Sequence, residues 1–189
     1  NVGSQDQTAA AFGGLNRIDF GGPQKINVQP LMIKPNKYQQ LESSLLLFFT
    51  GFSRTASDIA EEQIRRINGK KKYLKKMIEL VEESVKVLQN EDDNLTDFGK
   101  LLHEQWMIKR RLSPIVTNDK IDSIYETGVK AGAEGGKLLG AGGGGCMLFF
   151  VKPEKQVKVK EALKDFLHIP IRFDNLGSQI IYYNHDDHF

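Results

Sequence analysis

Between Lys137 and Val151 the sequence reads KLLGAGGGGCMLFFV, and five of the first nine residues are glycine. Each glycine costs about 0.5–1 kcal/mol on folding relative to alanine. Such a run therefore either follows a backbone path closed to side chains or lets something approach the main chain closely. One reading is a tight turn feeding a core strand. The other is a row of bare amides suited to an anion or a closely packed ligand. A turn needs only one or two residues at positive φ, and Gly142, Gly143, Gly144 and Gly145 stand in succession, which favours the second. Gly140, Gly142 and Gly145 formally match G-x-G-x-x-G. That motif binds dinucleotides only with a strand before it and a helix after it, whereas here a helical segment comes before and the clear strand after. No Walker lysine with serine or threonine follows the glycines, and the companion motifs of the protein-kinase glycine loop are absent.

A second segment, NVGSQDQTAAAFGG, places Asp6 in the first turn of a short helix next to Ala9, Ala10 and Ala11. Taken alone, an acidic residue there complements the helix dipole. The small residues additionally allow close packing around the helix start.

The elements that must position these groups follow from pattern. Ser4 is the expected N-cap of a helix ending at Gly13-Gly14. LNRIDF and KINVQPLMI alternate as strands, with Pro30 at an edge or bulge. SLLLFFT, residues 44–50, is a continuous apolar run expected as a buried strand. Four helical segments follow: SDIAEEQIRRIN; KKYLKKMIELVEESVKVLQ, with Leu74, Met77, Ile78, Val81, Val85 and Leu88 on one face; NLTDFGKLLHEQWMIKRRLS; and TNDKIDSIYETGVKAGA, capped near Asn118 or Asp119. After the glycines come the strand CMLFFV, the helix PEKQVKVKEALKDFL and two strands, IPIRFD and SQIIYYN. Strands, then helices, then strand–helix–strand–strand predict an α+β fold, a ferredoxin-like split βαβ arrangement with added helices, rather than a doubly wound parallel sheet.

Composition excludes several classes. Twenty-six basic and 24 acidic residues leave a net charge of +2, too balanced for a nucleic-acid partner. The single cysteine excludes an internal disulfide framework and fits a reducing compartment. No apolar run approaches the roughly 18 residues of a membrane-spanning helix. The sequence opens at Asn1, already close to a helix start, and reads as the later part of a longer protein.

Together, Gly3-Ser4-Gln5-Asp6-Gln7 and GAGGGG ahead of CMLFF resemble the GHMP small-molecule kinases. QDQTAAAFGGLN, LLLFFTGFSRTASDIA, LHEQWMIKRRLSPIVTNDKIDSIYE and GVKAGAEGGKLLGAGGGGCMLFF are similar to the branch acting on D-glycero-D-manno-heptose 7-phosphate. The resemblance implies that residues 1–40 end the family's N-terminal domain and residues 41–189 form its C-terminal domain. It implies transfer of the ATP γ-phosphate, with Mg²⁺, to a sugar or sugar-phosphate hydroxyl. The anomeric hydroxyl of the heptose 7-phosphate fits best, and a fucokinase-like or galactokinase-like specificity stays open. It makes Asp6 the catalytic base and Gln5, Thr50, Gly51 and Arg54 substrate-binding residues, with Ser53 adding a hydroxyl. It brings Gly140, Ala141, Gly142, Gly143, Gly144 and Gly145 to the phosphates through their backbone, and Gly143→Val is expected to abolish turnover with little loss of fold.

No metal-ligating set of the protein's own is implied. The family's phosphate-cradling loop, P-x-x-x-G-L-x-S-S-A, has no counterpart here, so the missing N-terminal half is an expected partner and an isolated acceptor-binding module is the alternative. A cytoplasmic location, without membrane or nucleic-acid partners, goes with this reading. Lys109, Arg110 and Arg111 offer charge to a sugar phosphate or form a solvated face; Trp106 reads as core; His103 reads as structural, without an obvious partner; and His185, Asp186, Asp187 and His188 read as a frayed tail.

Overall fold

The computed structural model describes residues 3–22, 25–52, 56–92 and 94–182, with 56–58 described in backbone only. The chain forms two compact units, Met32–Arg172 and Gly3–Leu31 together with the chain from Phe173. The larger unit begins at Met32, and the C-terminal segment groups with the first residues.

In the smaller unit, α1 (Gln5–Phe12) leads into a hairpin of β1 (Asn16–Phe20) and β2 (Ile26–Pro30). Ser4 occupies the N-cap position, but its hydroxyl makes no capping hydrogen bond. Its carbonyl instead accepts from the Thr8 hydroxyl at 2.7 Å. The helix end crosses the C-terminal segment where Gly13 and Gly177 meet, both at φ 62°. A Cβ on Gly13 would lie 2.3 Å from the Gly177 nitrogen, so neither position admits a side chain.

The larger unit is built on a four-stranded antiparallel sheet in the order β4 (Gly135–Leu138), β5 (Cys146–Phe150), β3 (Leu45–Phe49), β6 (Leu167–Ile169). The chain enters at β3, passes through α3 (Ala56–Arg66), α4 (Lys71–Gln89), α5 (Thr96–Arg110) and α6 (Asp119–Ala131), makes the β4–β5 hairpin, and returns through α7 (Gln156–Ala162) to β6. This is the expected split βαβ arrangement with helices inserted in its first crossover. Alternation along β3 and β5 buries Leu46, Phe48, Met147 and Phe149, and these pack with Trp106, Ile121, Ile124, Tyr125, Val159 and Leu163. Trp106 is fully buried, as a core residue, and its indole N–H has no partner among the described residues.

Several expectations give way. The helix α2 (Pro35–Ser43), opened by a proline at its start, was not read from sequence. On α4 the buried residues are Leu80 and Leu88, while Ile78 is 62% and Val81 41% exposed, because the apolar stripe is wider than the surface it packs on. β4 precedes the glycine run where only a helix was expected. The helix after Pro153 is a 3₁₀ turn followed by the short α7, and β6 falls at Leu167–Ile169 rather than over IPIRFD. SQIIYYN forms no strand over its described residues, and Ile180 and Ile181 lie 84% and 96% exposed, since no strand among the described residues pairs with them.

The buried Lys37 of α2 explains why that helix sits where it does. Its ammonium donates to Val87 O and Asn90 O, each at 2.9 Å, and to Asn90 Oδ1 at 2.6 Å. All three donors are thus satisfied at the carbonyl-rich end of α4, where a cation is favoured. Lys37→Met leaves those acceptors buried and unmatched, and should lower stability by about 1–3 kcal/mol in denaturant unfolding. An unchanged midpoint would show that α4 ends well without the lysine.

Candidate functional site

The glycine run is the connection of the β4–β5 hairpin, between the paired residues Leu138 and Met147. Four of its glycines have positive φ: Gly140 (66°), Gly142 (120°), Gly143 (75°) and Gly145 (103°). Ala141 and Gly144 do not. The backbone path therefore demands glycine at four positions, tolerates alanine at 141, and leaves Gly144 as a glycine that no φ requires.

The turn is pinned from several elements. Gly143 N donates to Val116 O at 2.8 Å and Gly145 N to Phe52 O at 2.9 Å. A Cβ on Gly142 would stand 3.0 Å from the Val116 backbone, so the α5–α6 connection closes directly on the turn. Gln63 of α3 donates to Ala141 O at 2.8 Å, and Lys109 of α5 to Gly140 O at 2.5 Å. The expectation that Gly142 to Gly144 all present free amides is thereby corrected: Gly143 is committed inward. Its positive φ also means that Gly143→Val would strain the fold itself. The amides of Ala141, Gly142 and Gly144 have no acceptor among the described residues.

Thr50 is fully buried. Its amide donates to Gly145 O at 2.9 Å, and its hydroxyl faces the same oxygen at 2.9 Å and Phe52 O at 3.2 Å. The expected substrate hydroxyl is in fact a clamp on the end of the turn. Gly51, at φ 86°, is exposed beside it. Arg54 and Ser53 lie outside the described residues, as does the His185–His188 tail. Lys109 is spent on the turn's carbonyls, and Arg110 is paired with Asp122 at 2.6 Å, so neither is a loose charge on a solvated face. Asp122 also accepts from the Thr117 hydroxyl.

His103, expected without a partner, has Nδ1 2.6 Å from the Tyr125 hydroxyl, with the two rings stacked. Burial pushes the Tyr125 phenol up to about 12. Lys137 donates to Gln105 Oε1 at 2.6 Å, and burial lowers its pKa from the ordinary value.

Lys120 was not foreseen. It is the second residue of α6, and its Nζ lies 5.0 Å from the Phe52 ring centroid and 3.4 Å from where a Cβ on Gly51 would stand. The local signal for the helix start was legible, since the Asn118 side chain accepts from Ile121 N at 3.0 Å. That this first turn places a cation beside Gly51 and Phe52, far earlier in the chain, was not. Gln5 and Asp6 sit exposed in α1 of the smaller unit, and the Asp6 carboxylate accepts no hydrogen bond from the described residues.

Residues 77–169 match the family described as GHMP kinases C terminal. The match runs from within α4 to the end of β6, the part that carries the pinned turn. The chain belongs to the GHMP kinase family. It is 38% identical over 165 residues to D-glycero-alpha-D-manno-heptose 7-phosphate kinase of Campylobacter jejuni, a stretch covering 86% of this chain and 48% of that enzyme. It is 28% identical over 180 residues to the bifunctional fucokinase/GDP-fucose pyrophosphorylase of Arabidopsis thaliana, over 92% of this chain and 17% of that one. A solved D-glycero-D-manno-heptose 1-phosphate kinase from Bacteriodes thetaiotaomicron superposes with a TM-score of 0.60 at 26% identity, covering 96% of this chain and 50% of that structure. The GHMP chain described here thus spans about half the length of the Campylobacter relative.

Proposed function

We propose that this GHMP chain, as part of a full-length protein, transfers the γ-phosphate of ATP to a sugar phosphate, with the anomeric hydroxyl of D-glycero-D-manno-heptose 7-phosphate as acceptor. The observation that carries this reading is the pinned glycine turn. Its carbonyls and two of its amides are held from α3, α5, the α5–α6 connection and the segment after β3, while Gly142 and Gly144 have N–H groups with no acceptor among the described residues. A rigid set of amide donors suits phosphate oxygens, and phosphoryl transfer depends chiefly on positioning and charge stabilisation. The likeness to the Campylobacter heptose 7-phosphate kinase supports the choice of acceptor. The likeness to the Arabidopsis fucokinase keeps L-fucose as the second reading.

In the reaction the acceptor hydroxyl oxygen forms a bond to the γ-phosphorus. The bond from that phosphorus to the β–γ bridging oxygen breaks, ADP leaves, and the hydroxyl proton passes to a base. Asp6 is the proposed base, with Gln5 and Gly51 contacting the sugar and Arg54 its phosphate. No group of three or more His, Cys, Asp or Glu able to hold a metal occurs among the described residues. In this reading Mg²⁺ enters as part of the Mg-ATP substrate. The smaller unit is read as the edge of the N-terminal domain, whose remainder would supply the loop that cradles the triphosphate. No described helix is long and apolar enough to cross a membrane. ATP and sugar phosphates are cytoplasmic solutes, and the cytoplasm is the proposed location.

The deciding experiment is ADP release by the full-length protein with Mg-ATP and, in turn, the heptose 7-phosphate, L-fucose and D-galactose. Turnover with the heptose phosphate alone is expected. Turnover with fucose or galactose instead would replace the acceptor, and acceptor binding without any ADP release would make the protein a binding module. Gly144→Ala adds a methyl group where no positive φ requires glycine. It should leave the melting temperature unmoved while lowering kcat/KM roughly tenfold to a hundredfold, as expected for reacting groups displaced by about 1 Å. Full activity in that variant would remove the turn from the phosphate site.

A further inference from the structure

We infer that Lys120 is a phosphate-binding residue of this site, an inference that rests on reading the pinned turn as a place where phosphate is handled. Its ammonium lies over the Phe52 ring, 5.0 Å from the centroid. Phe52 is the residue whose carbonyl receives the Gly145 amide, so the ring that carries the lysine belongs to the segment that closes the glycine turn. Gly51, at φ 86°, leaves the other flank open, with Lys120 Nζ 3.4 Å from the position a Cβ would take. The lysine is thus held between an aromatic face and bare backbone, within the same cluster as the turn.

Among the described residues its charge is not used elsewhere, and no carboxylate pairs with Lys120. Asp122, two residues further along α6, is taken by Arg110 and Thr117. Lys109, the other cation at the turn, is bound to the carbonyls of Leu138 and Gly140. An ammonium is a compact point charge that meets phosphate oxygens without the fixed geometry of a guanidinium. The pairing of such a charge with the spare amides of Gly142 and Gly144 is the chemistry that recognises a phosphate monoester or the phosphoryl group in transfer.

The test uses Lys120→Met and Lys120→Arg in the full-length protein. Calorimetric titration with inorganic phosphate should show affinity weakened about tenfold to a hundredfold in Lys120→Met, as loss of one charge-assisted contact implies, and largely restored in Lys120→Arg. Unchanged phosphate affinity in Lys120→Met would overturn the inference, and so would a loss that follows the melting temperature and is not restored by arginine. Kinetics then identify the source of the phosphate. A raised KM for the heptose 7-phosphate, with that for unphosphorylated heptose unmoved, assigns the contact to the acceptor's own phosphate. A raised KM for ATP with lowered kcat assigns it to the group in transfer. A wild-type protein that binds phosphate through Lys120 but releases no ADP would sink the proposed reaction and leave this contact standing.

Discussion

Asp6→Asn in the full-length protein lowers kcat by about 10²–10⁴-fold, the usual contribution of a positioned proton acceptor, while its melting temperature stays within about 2 °C of wild type, the shift a surface change of up to ~0.5 kcal/mol gives. Asparagine keeps the size of the side chain and a carbonyl acceptor, so binding geometry is preserved. What it loses is the ability to hold the proton that the acceptor hydroxyl must shed. Asp6 lies exposed in the first turn of α1, with no hydrogen bond from the described residues to its carboxylate. Among the described residues no hydrogen bond of the smaller unit depends on it, which leaves the helix-dipole contribution as what asparagine removes. The expected effect sits toward the lower end of the range, because phosphoryl transfer owes most of its acceleration to positioning. Steady-state kinetics decide the matter: a kcat within a few-fold of wild type would mean that the proton leaves by another route, and a fall in kcat that parallels a fall in melting temperature would make Asp6 structural.

Gly135→Ala has the largest expected effect on stability. Gly135 opens β4 where the strand runs against α5, and a Cβ there would stand 2.0 Å from Gly99 O and 2.9 Å from His103 N. The facing Gly99 is equally constrained, with a Cβ falling 2.7 Å from that of Glu134 and 2.8 Å from Phe150 Cδ1. Both obstacles at Gly135 are helix backbone, so relief requires α5 to move as a body. Gly135 is not at positive φ, so its need for glycine is one of space alone. Overpacking of this kind costs about 3 kcal/mol. For a domain of this size that corresponds to a fall of roughly 6–12 °C in melting temperature. Because α5 also carries Lys109, which holds Gly140 O, the displacement should loosen the glycine turn as well. A shift under about 2 °C, less than the smallest step expected per kcal/mol, would show that helix and strand separate at little cost.

The motifs that named the family were local and survived into the structure. The apolar run SLLLFFT became the central strand β3, and Asn118 capped α6 as expected. The split βαβ order followed from strand and helix texture alone, because period-two and period-3.6 patterning is written into neighbouring residues. The misreadings also have physical causes. GGKL carries no alternation to mark it as a strand, and it pairs as β4 because Gly135 and Gly136 let it lie against α5 and Phe149. SQIIYYN has strand composition, but no strand pairs with it among the described residues. The α4 stripe was read at full width, although burial reaches only Leu80 and Leu88.

For the site, residue type pointed to the glycines of the turn, while Asp6 and Arg54 were singled out only by the resemblance to the family. Which amides of that turn are free was decided only in three dimensions. Gly143 is spent on Val116 and Gly145 on Phe52, partners 27 and 93 positions distant in the chain. The same holds for Thr50, turned inward by Gly145, for His103 and its Tyr125 partner, and for Lys120, brought beside Gly51 and Phe52. A sequence specifies which groups can donate, accept or carry charge, because those are properties of single residues. Whether a group is spent or available depends on its neighbours, and the neighbours are chosen by packing between distant segments.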